Sequence, residues 1–241
     1  MRRIDLYFTP LEVSEEEISG KPVVVVDVLR ASASIIRALK NGSRGIIPTQ
    51  SVGEATELAH SLGRENILLC GERGGKRIDG FDLGNSPQEF TRKMVNDKIL
   101  IFATTNGSRA IAGAQGARSV LVGSFLNSKT LLSHLSKLDS DLAIICAGKL
   151  GRFALEDAVA GGMFVDLLSS SEELNDGAMA AKTLYQKYSQ DIVGMLRSSS
   201  HGRYLIELGY EEDIPLCGRL NSVNLIPSLE EGRLVRLTRE R

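Results

Sequence analysis

Six short runs constrain this chain most: Val23–Val26, Gly45–Ile47, Ile67–Cys70, Ile99–Ala103, Ser119–Val122 and Leu142–Cys146. They are rich in Val and Ile and lack the polar alternation of a strand with one wet face. Strands of this kind are buried on both sides. Helical patterns lie between them, at Ser32–Lys40, Val52–Leu62, Ser108–Ala114, Ser128–Leu138 and Leu155–Leu168. Strands alternating with helices pair in parallel and take helices on both faces. The expectation is a three-layer α/β/α fold with a mixed, largely parallel sheet. No linker is Pro/Ser-rich enough to divide the chain, so residues 1–241 read as one domain.

A weak internal repeat accompanies this pattern. PVVVVDVLRASASIIRALKNGSRGIIPT leads through a helix to ENILLCGERGG, and KILIFATTNGSRAIAGAQGARSVLVG leads through a helix to DLAIICAGKLG. The two half-repeats would span residues 21–90 and 97–165, although any βαβαβ unit has this outline. Further on, 169–200 is polar and helical, with 178–188 its core stretch. Short strand candidates follow near Val223–Ile226 and at Arg233–Leu237. The second alternates polar and apolar, as an edge strand does.

The formal charge of −1 gives no general attraction to nucleic acid or membrane. The start, MRRIDLYFTPLEV, lacks the apolar core of a signal peptide, and no run approaches a membrane span. Cys70, Cys146 and Cys217 are odd in number and widely spaced, as in a reducing cytoplasm. A homo-oligomer is left open.

Ligands of open α/β sheets bind at the carboxyl ends of the strands, and four unusual segments follow such ends. In Asp27-Val-Leu-Arg30-Ala-Ser32-Ala-Ser34 a carboxylate and an arginine precede a helix start, whose free N–H groups suit an anion; the bland reading is a cap beside a surface arginine. The Gly-dense stretch from Gly71 to Pro87 offers Glu72, Asp79 and Asp82, hard oxygen ligands for Mg²⁺, together with Asn85; a solvated loop would look similar. Thr104-Thr105-Asn106-Gly107-Ser108-Arg109 repeats the polar helix start, where Ser108 also reads as an ordinary N-cap. Lys149 and Arg152 precede Glu156 and Asp157, acids that also suit a first helical turn for dipole reasons alone. Several cations, several carboxylates and two helix starts on one edge suit a small polyanionic phosphate ester with a charge-neutralising metal.

Other motifs fail on inspection. Leu29 occupies the place of the second acid in the Asp-x-Asp loop of haloacid dehalogenase-type phosphatases. Cys146 and Arg152 have Cys-x5-Arg spacing, yet Lys149 stands where that loop has glycine, and a buried cysteine is the commoner case. Neither a nucleotide P-loop nor a GxGxxG fingerprint occurs. His201 is a candidate general acid or substrate ligand, though a lone loop histidine is usually neither.

VVVVDVLRASASI, GERGG…GFDLGNSPQE, ATTNGSRAI, CAGKLGRFALEDAVAGG and HGRYLIELGYEEDI, in this order, resemble the 2-phosphosulfolactate phosphatase family over roughly residues 4 to 227. The resemblance implies Mg²⁺-dependent hydrolysis of 2-phospho-3-sulfolactate to 3-sulfolactate and phosphate, a step towards coenzyme M. Elsewhere another phosphorylated hydroxy acid would take that place. Asn221 departs from the family pattern, which leads one to expect an acid there. The residues themselves assign one Mg²⁺ to Asp27, Glu72 and Asp82, with Asp157 as an alternative, and catalysis to Asp27 and Arg30. Substrate contacts fall to Ser32, Ser34, Asn85, Asn106, Gly107, Ser108, Arg109 and Lys149, with Arg30 and Arg109 sharing the phosphate and the sulfonate. Direct water attack and phosphorylation of Asp27 both fit, and a non-catalytic anion-binding protein is the competing class.

Overall fold

The computed structural model describes residues 2–63, 65–169 and 172–237. Its strands are β1 (Arg3–Tyr7), β2 (Pro22–Val26), β3 (Gly45–Thr49), β4 (Ile67–Arg73), β5 (Lys76–Arg77), β6 (Ile99–Ala103), β7 (Ser119–Gly123), β8 (Leu142–Cys146), β9 (Glu173–Leu174), β10 (Pro227–Glu230) and β11 (Arg233–Arg236). Its helices are α1 (Glu15–Ile18), α2 (Ala31–Lys40), α3 (Val52–Leu62), α4 (Arg92–Val95), α5 (Gly107–Gly113), α6 (Ser128–Leu135), α7 (Leu155–Leu168), α8 (Asp176–Tyr188), α9 (Ile192–Ser198), α10 (Ser200–Glu207) and α11 (Asp213–Cys217). All six apolar runs are strands. They join one mixed, mostly parallel sheet in the order β5-β4-β6-β3-β11-β10-β7-β2-β8-β1-β9, with helices packed around it.

Segments 21–90 and 97–165 exchange their leading strands. From the first, β2 pairs in parallel with β7 and β8 of the second; from the second, β6 pairs in parallel with β3 and β4 of the first. The registers correspond: Val24 lies between Leu121 and Ile144, and Leu100 between Ile46 and Leu68. Neither half therefore completes its own sheet. All of β2 and β8 is buried, as runs without polar alternation require.

The hairpin β10–β11 lies between the two groups, touching β7 at Ser228↔Leu121 and β3 at Leu234↔Ile46. This corrects the edge-strand expectation for 233–237: β11 is an inner strand. Its alternation arises because only Leu234 is fully buried and the ladder to β3 closes at that residue alone. Residues 223–226 are not a strand, although Val223, Leu225 and Ile226 are buried. Sequence reading missed β1, whose Ile4 and Leu6 are buried beside an equally buried Asp5. Asp5 is paired with Arg3 and Lys21, and those charges hid the strand.

Helix α7 is buried along most of its length, as a helix apolar on all sides must be. It crosses α8 so closely that a Cβ at Gly162 would lie 1.9 Å from the Ala181 carbonyl oxygen. Asn221 takes a left-handed φ of 55° and its Oδ1 accepts from Ser128 Oγ and the Lys129 N–H, capping α6. An aspartate there would keep the acceptor and, like asparagine, tolerate this conformation.

Candidate active site

Asp27 leaves β2 into a turn that consumes the start of α2. Its N–H donates to Ser32 Oγ at 2.9 Å, its carbonyl accepts the Ser32 N–H at 2.8 Å, and its Oδ1 accepts the Ala31 N–H at 3.3 Å. The helix start thus holds Asp27 in place instead of an anion. Ser32 is a turn residue for this reason, and Ser34 is another, its hydroxyl donating to the Asn85 carbonyl. Across the turn, Gly107 opens α5; a Cβ there would meet Asp27 Oδ2 at 2.8 Å. Gly107 therefore serves close packing on Asp27. Ser108 is an internal cap, accepting from the Thr104 N–H and donating to the Phe102 carbonyl. Arg109 is exposed and does not border the cavity. The pairing of Arg30 with Arg109 across one substrate thereby loses its geometric basis.

A cavity of about 280 Å³ opens beside Asp27. Arg30, Glu72, Asn85, Asn106 and Lys149 from the sequence-derived set border it, joined by Thr105, His201 and Tyr204. A larger groove of about 950 Å³ lies near Lys129 and Arg236, but no carboxylate lines it; the carboxylates Asp27 and Glu72 sit in the smaller cavity.

Each cavity residue is held by a specific contact. Arg30 is buried, with Nη1 donating to Asp213 Oδ2 at 2.9 Å and Nη2 to the Gly75 carbonyl at 2.6 Å, and it stacks on Tyr210. Those bonds use two of its five donors, so donors remain for a ligand. Glu72 Oε2 accepts the Gly75 N–H and Oε1 the Thr105 N–H, both at 2.8 Å, tying two strand-end loops together. Lys149 lies 4.6 Å from the centre of the Tyr204 ring, and the Tyr204 hydroxyl donates to the Gly74 carbonyl. Asn106 Oδ1 accepts the Leu150 N–H. The Leu29–Arg30 peptide is cis. Two polar atoms of the lining are buried without a partner, Asn85 Oδ1 and Thr105 Oγ1. Buried polar atoms are otherwise nearly always paired, so a ligand is the natural partner for these.

Burial pushes the Asp27 carboxyl up to about 6; His201 opposes this, while Glu72 and Glu156 add to it. Asp157 is pushed well above the usual range by burial and by the charges of Asp27 and Glu156. Two proposed metal ligands are placed elsewhere. Asp157 spends Oδ1 on the Val28 N–H and Oδ2 on the Gly148 N–H, and Asp82 Oδ2 accepts the Leu69 N–H. Neither lines the cavity; both secure the loops that do. Among the described residues no group of three or more His, Cys, Asp or Glu side chains is arranged to hold a metal ion. A closed protein cage is thus not the fit. Asp27 and Glu72, with the orphaned Asn85 Oδ1, are hard oxygen donors that suit Mg²⁺ completed by water and phosphate.

Cys146 is fully buried in β8, and burial and Asp157 push its thiol well above its usual range. Fully buried and absent from the cavity lining, it is not placed to act as a nucleophile. Sequence reading named Thr105 only as part of the Thr104–Arg109 segment and did not name Tyr204 as a site residue. The second was detectable, because His201 and Tyr204 are three residues apart and share a helix face.

The family model for 2-phosphosulpholactate phosphatase matches residues 7–232. A relative in Caldanaerobacter subterraneus subsp. tengcongensis, described as a probable 2-phosphosulfolactate phosphatase, is 37% identical over 95% of this chain and 96% of its own. Two others with that description, from Clostridium acetobutylicum and Symbiobacterium thermophilum, are 36% and 38% identical. The first covers 97% of this chain and 100% of its own, the second 92% and 97%. With a family match over residues 7–232 and relatives above 30% identity across nearly the whole chain, the chain belongs to the 2-phosphosulfolactate phosphatases.

Proposed function

We propose that this protein is a Mg²⁺-dependent phosphatase that converts 2-phospho-3-sulfolactate and water to 3-sulfolactate and phosphate. The observation that carries this reading is a small cavity combining Asp27, two cations and two orphaned polar atoms. Phosphate lies against Asp27, with free donors of Arg30 and the Thr105 hydroxyl on its oxygens. Lys149 takes a second anionic group, the sulfonate or carboxylate, in place of the role first given to Arg109. Asp27 is either the nucleophile or the base that takes a proton from water, and its raised proton affinity favours the second role near neutral pH.

Asp27 and Glu72 hold the Mg²⁺, assisted by Asn85. The bound ion offsets the charge of the phosphate and of the two carboxylates. A non-catalytic anion binder gains nothing from two acids facing its ligand. The reaction is read as a step towards coenzyme M, in the cytoplasm. The three free cysteines support a reducing compartment, and among the described residues no helix is long and apolar enough to cross a membrane.

The test is phosphate release from 2-phospho-3-sulfolactate and from phospholactate, which lacks only the sulfonate. Hydrolysis should stop with EDTA and return with Mg²⁺, and the sulfonated ester should be preferred. Full activity after exhaustive chelation would remove the metal, and no release from either ester would remove the phosphatase.

A further inference from the structure

We propose that His201, oriented by Glu156, protonates the leaving oxygen of the phosphate ester; the assignment rests on the phosphatase reading. His201 lies in the first turn of α10 and borders the cavity, with 14% of its side chain exposed. Its Nδ1 is 3.2 Å from Glu156 Oε1, and Glu156, on the first turn of α7, is 2% exposed. This contact ties down one ring nitrogen. Among the described residues Nε2 has no hydrogen-bond partner. A buried carboxylate beside Nδ1 holds the orientation of the ring and leaves Nε2 as the nitrogen open to a ligand. Burial raises the Glu156 carboxyl, but His201 and backbone contacts more than offset this, so it stays below its usual range and remains charged.

The other groups of the cavity have different commitments. Asp27 and Glu72 are the acids facing His201 from the turns after β2 and β4. Lys149, from the turn after β8, sits over Tyr204, whose own hydroxyl is spent on Gly74. Arg30 is held by Asp213. His201 is thus the acid–base group of the cavity whose second ring nitrogen is positioned and uncommitted.

The chemistry needs such a donor because an alkoxide of a hydroxy acid leaves poorly. The P–O ester bond breaks with its electron pair going to the ester oxygen. That oxygen takes the Nε2 proton and departs as the hydroxyl of the hydroxy acid. The new P–O bond forms to Asp27 or to water. Either way one water is consumed, its hydroxyl ending on phosphorus and its proton returning to the imidazole directly or through solvent.

The test compares leaving groups. An aryl ester such as p-nitrophenyl phosphate releases a stable phenolate and needs no acid, whereas phospholactate does. His201→Asn should lower turnover of phospholactate by about 100-fold or more, the usual contribution of general acid catalysis, and of the aryl ester by less than about 10-fold. Glu156→Gln, which keeps an acceptor for Nδ1 but removes the charge behind the ring, should show a smaller loss with the same selectivity. Equal proportional losses on the two esters overturn the assignment. If His201→Asn does not fold, Glu156→Gln decides by the same comparison. Wild-type inactivity on both esters is instead a failure of the phosphatase reading, and the assignment falls with it.

Discussion

Asp27→Asn should stabilise the free protein at neutral pH while abolishing its activity. The wild-type carboxyl is pushed from 3.8 to about 6, chiefly by burial. Between about pH 4 and 6 the native state therefore holds a proton that the unfolded chain releases. The stability associated with that proton is fully present below about pH 4 and is lost as pH rises through 6. A shift of about two units at 1.36 kcal/mol each is a penalty of about 3 kcal/mol above pH 6. Asparagine carries no charge and can still accept the Ala31 N–H, so it avoids most of that penalty. Thermal unfolding in EDTA should show matching stabilities near pH 4. At pH 7.5 the variant should melt higher, by roughly 2–4 °C per kcal/mol for a chain of this size. Added Mg²⁺ should stabilise the wild type and close the gap. Turnover of the variant should fall at least about 100-fold. A variant no more stable at pH 7.5 than at pH 4, relative to wild type, would refute the claim that Asp27 is held ionised at a cost.

Asp213→Ala leaves the Arg30 guanidinium buried without its carboxylate and strips Ser86 Oγ of its acceptor. Urea unfolding should show a loss of about 3–5 kcal/mol, and a loss below about 1 kcal/mol would mean that Arg30 finds another partner. Thr105→Val removes a hydroxyl with no protein partner. Stability should stay within about 0.5 kcal/mol, while KM for the phosphorylated substrate rises about 10-fold, the value of one hydrogen bond to a charged group. An unchanged KM would show that Thr105 does not touch the ligand.

Much of the fold was legible because its strands are continuous apolar runs. Val23–Val26 or Leu142–Cys146 can lie only in a doubly covered sheet, and the helices fall where the 3.6-residue pattern puts them. β1 escaped because its Asp5 is buried through pairing with Arg3 and Lys21, which a linear pattern does not reveal. β11 was read as an edge because a strand that touches its neighbour at Leu234 alone has the composition of one.

The site was legible only in part, for a physical reason. A sequence tells which polar residues follow a strand, because that depends on local order along the chain. It does not tell whether a polar group is spent within the protein or free for a ligand. Ser32, Ser34, Gly107, Ser108, Asp82 and Asp157 are the right chemical types at the right edge, yet each lies off the cavity, held there by a backbone contact or by close packing on Asp27. Arg109 follows a buried strand by a few residues, as Arg30 does, but is exposed. The sequence alone determined the α/β layering and the strand ends where Asp27, Arg30, Glu72 and Lys149 lie. Tertiary structure decided which of their neighbours keep an unpaired atom in the cavity. It alone brought His201 and Glu156, 45 residues apart, within hydrogen-bond distance, because the placement of α10 beside the start of α7 is set by long-range contacts that no local spacing encodes.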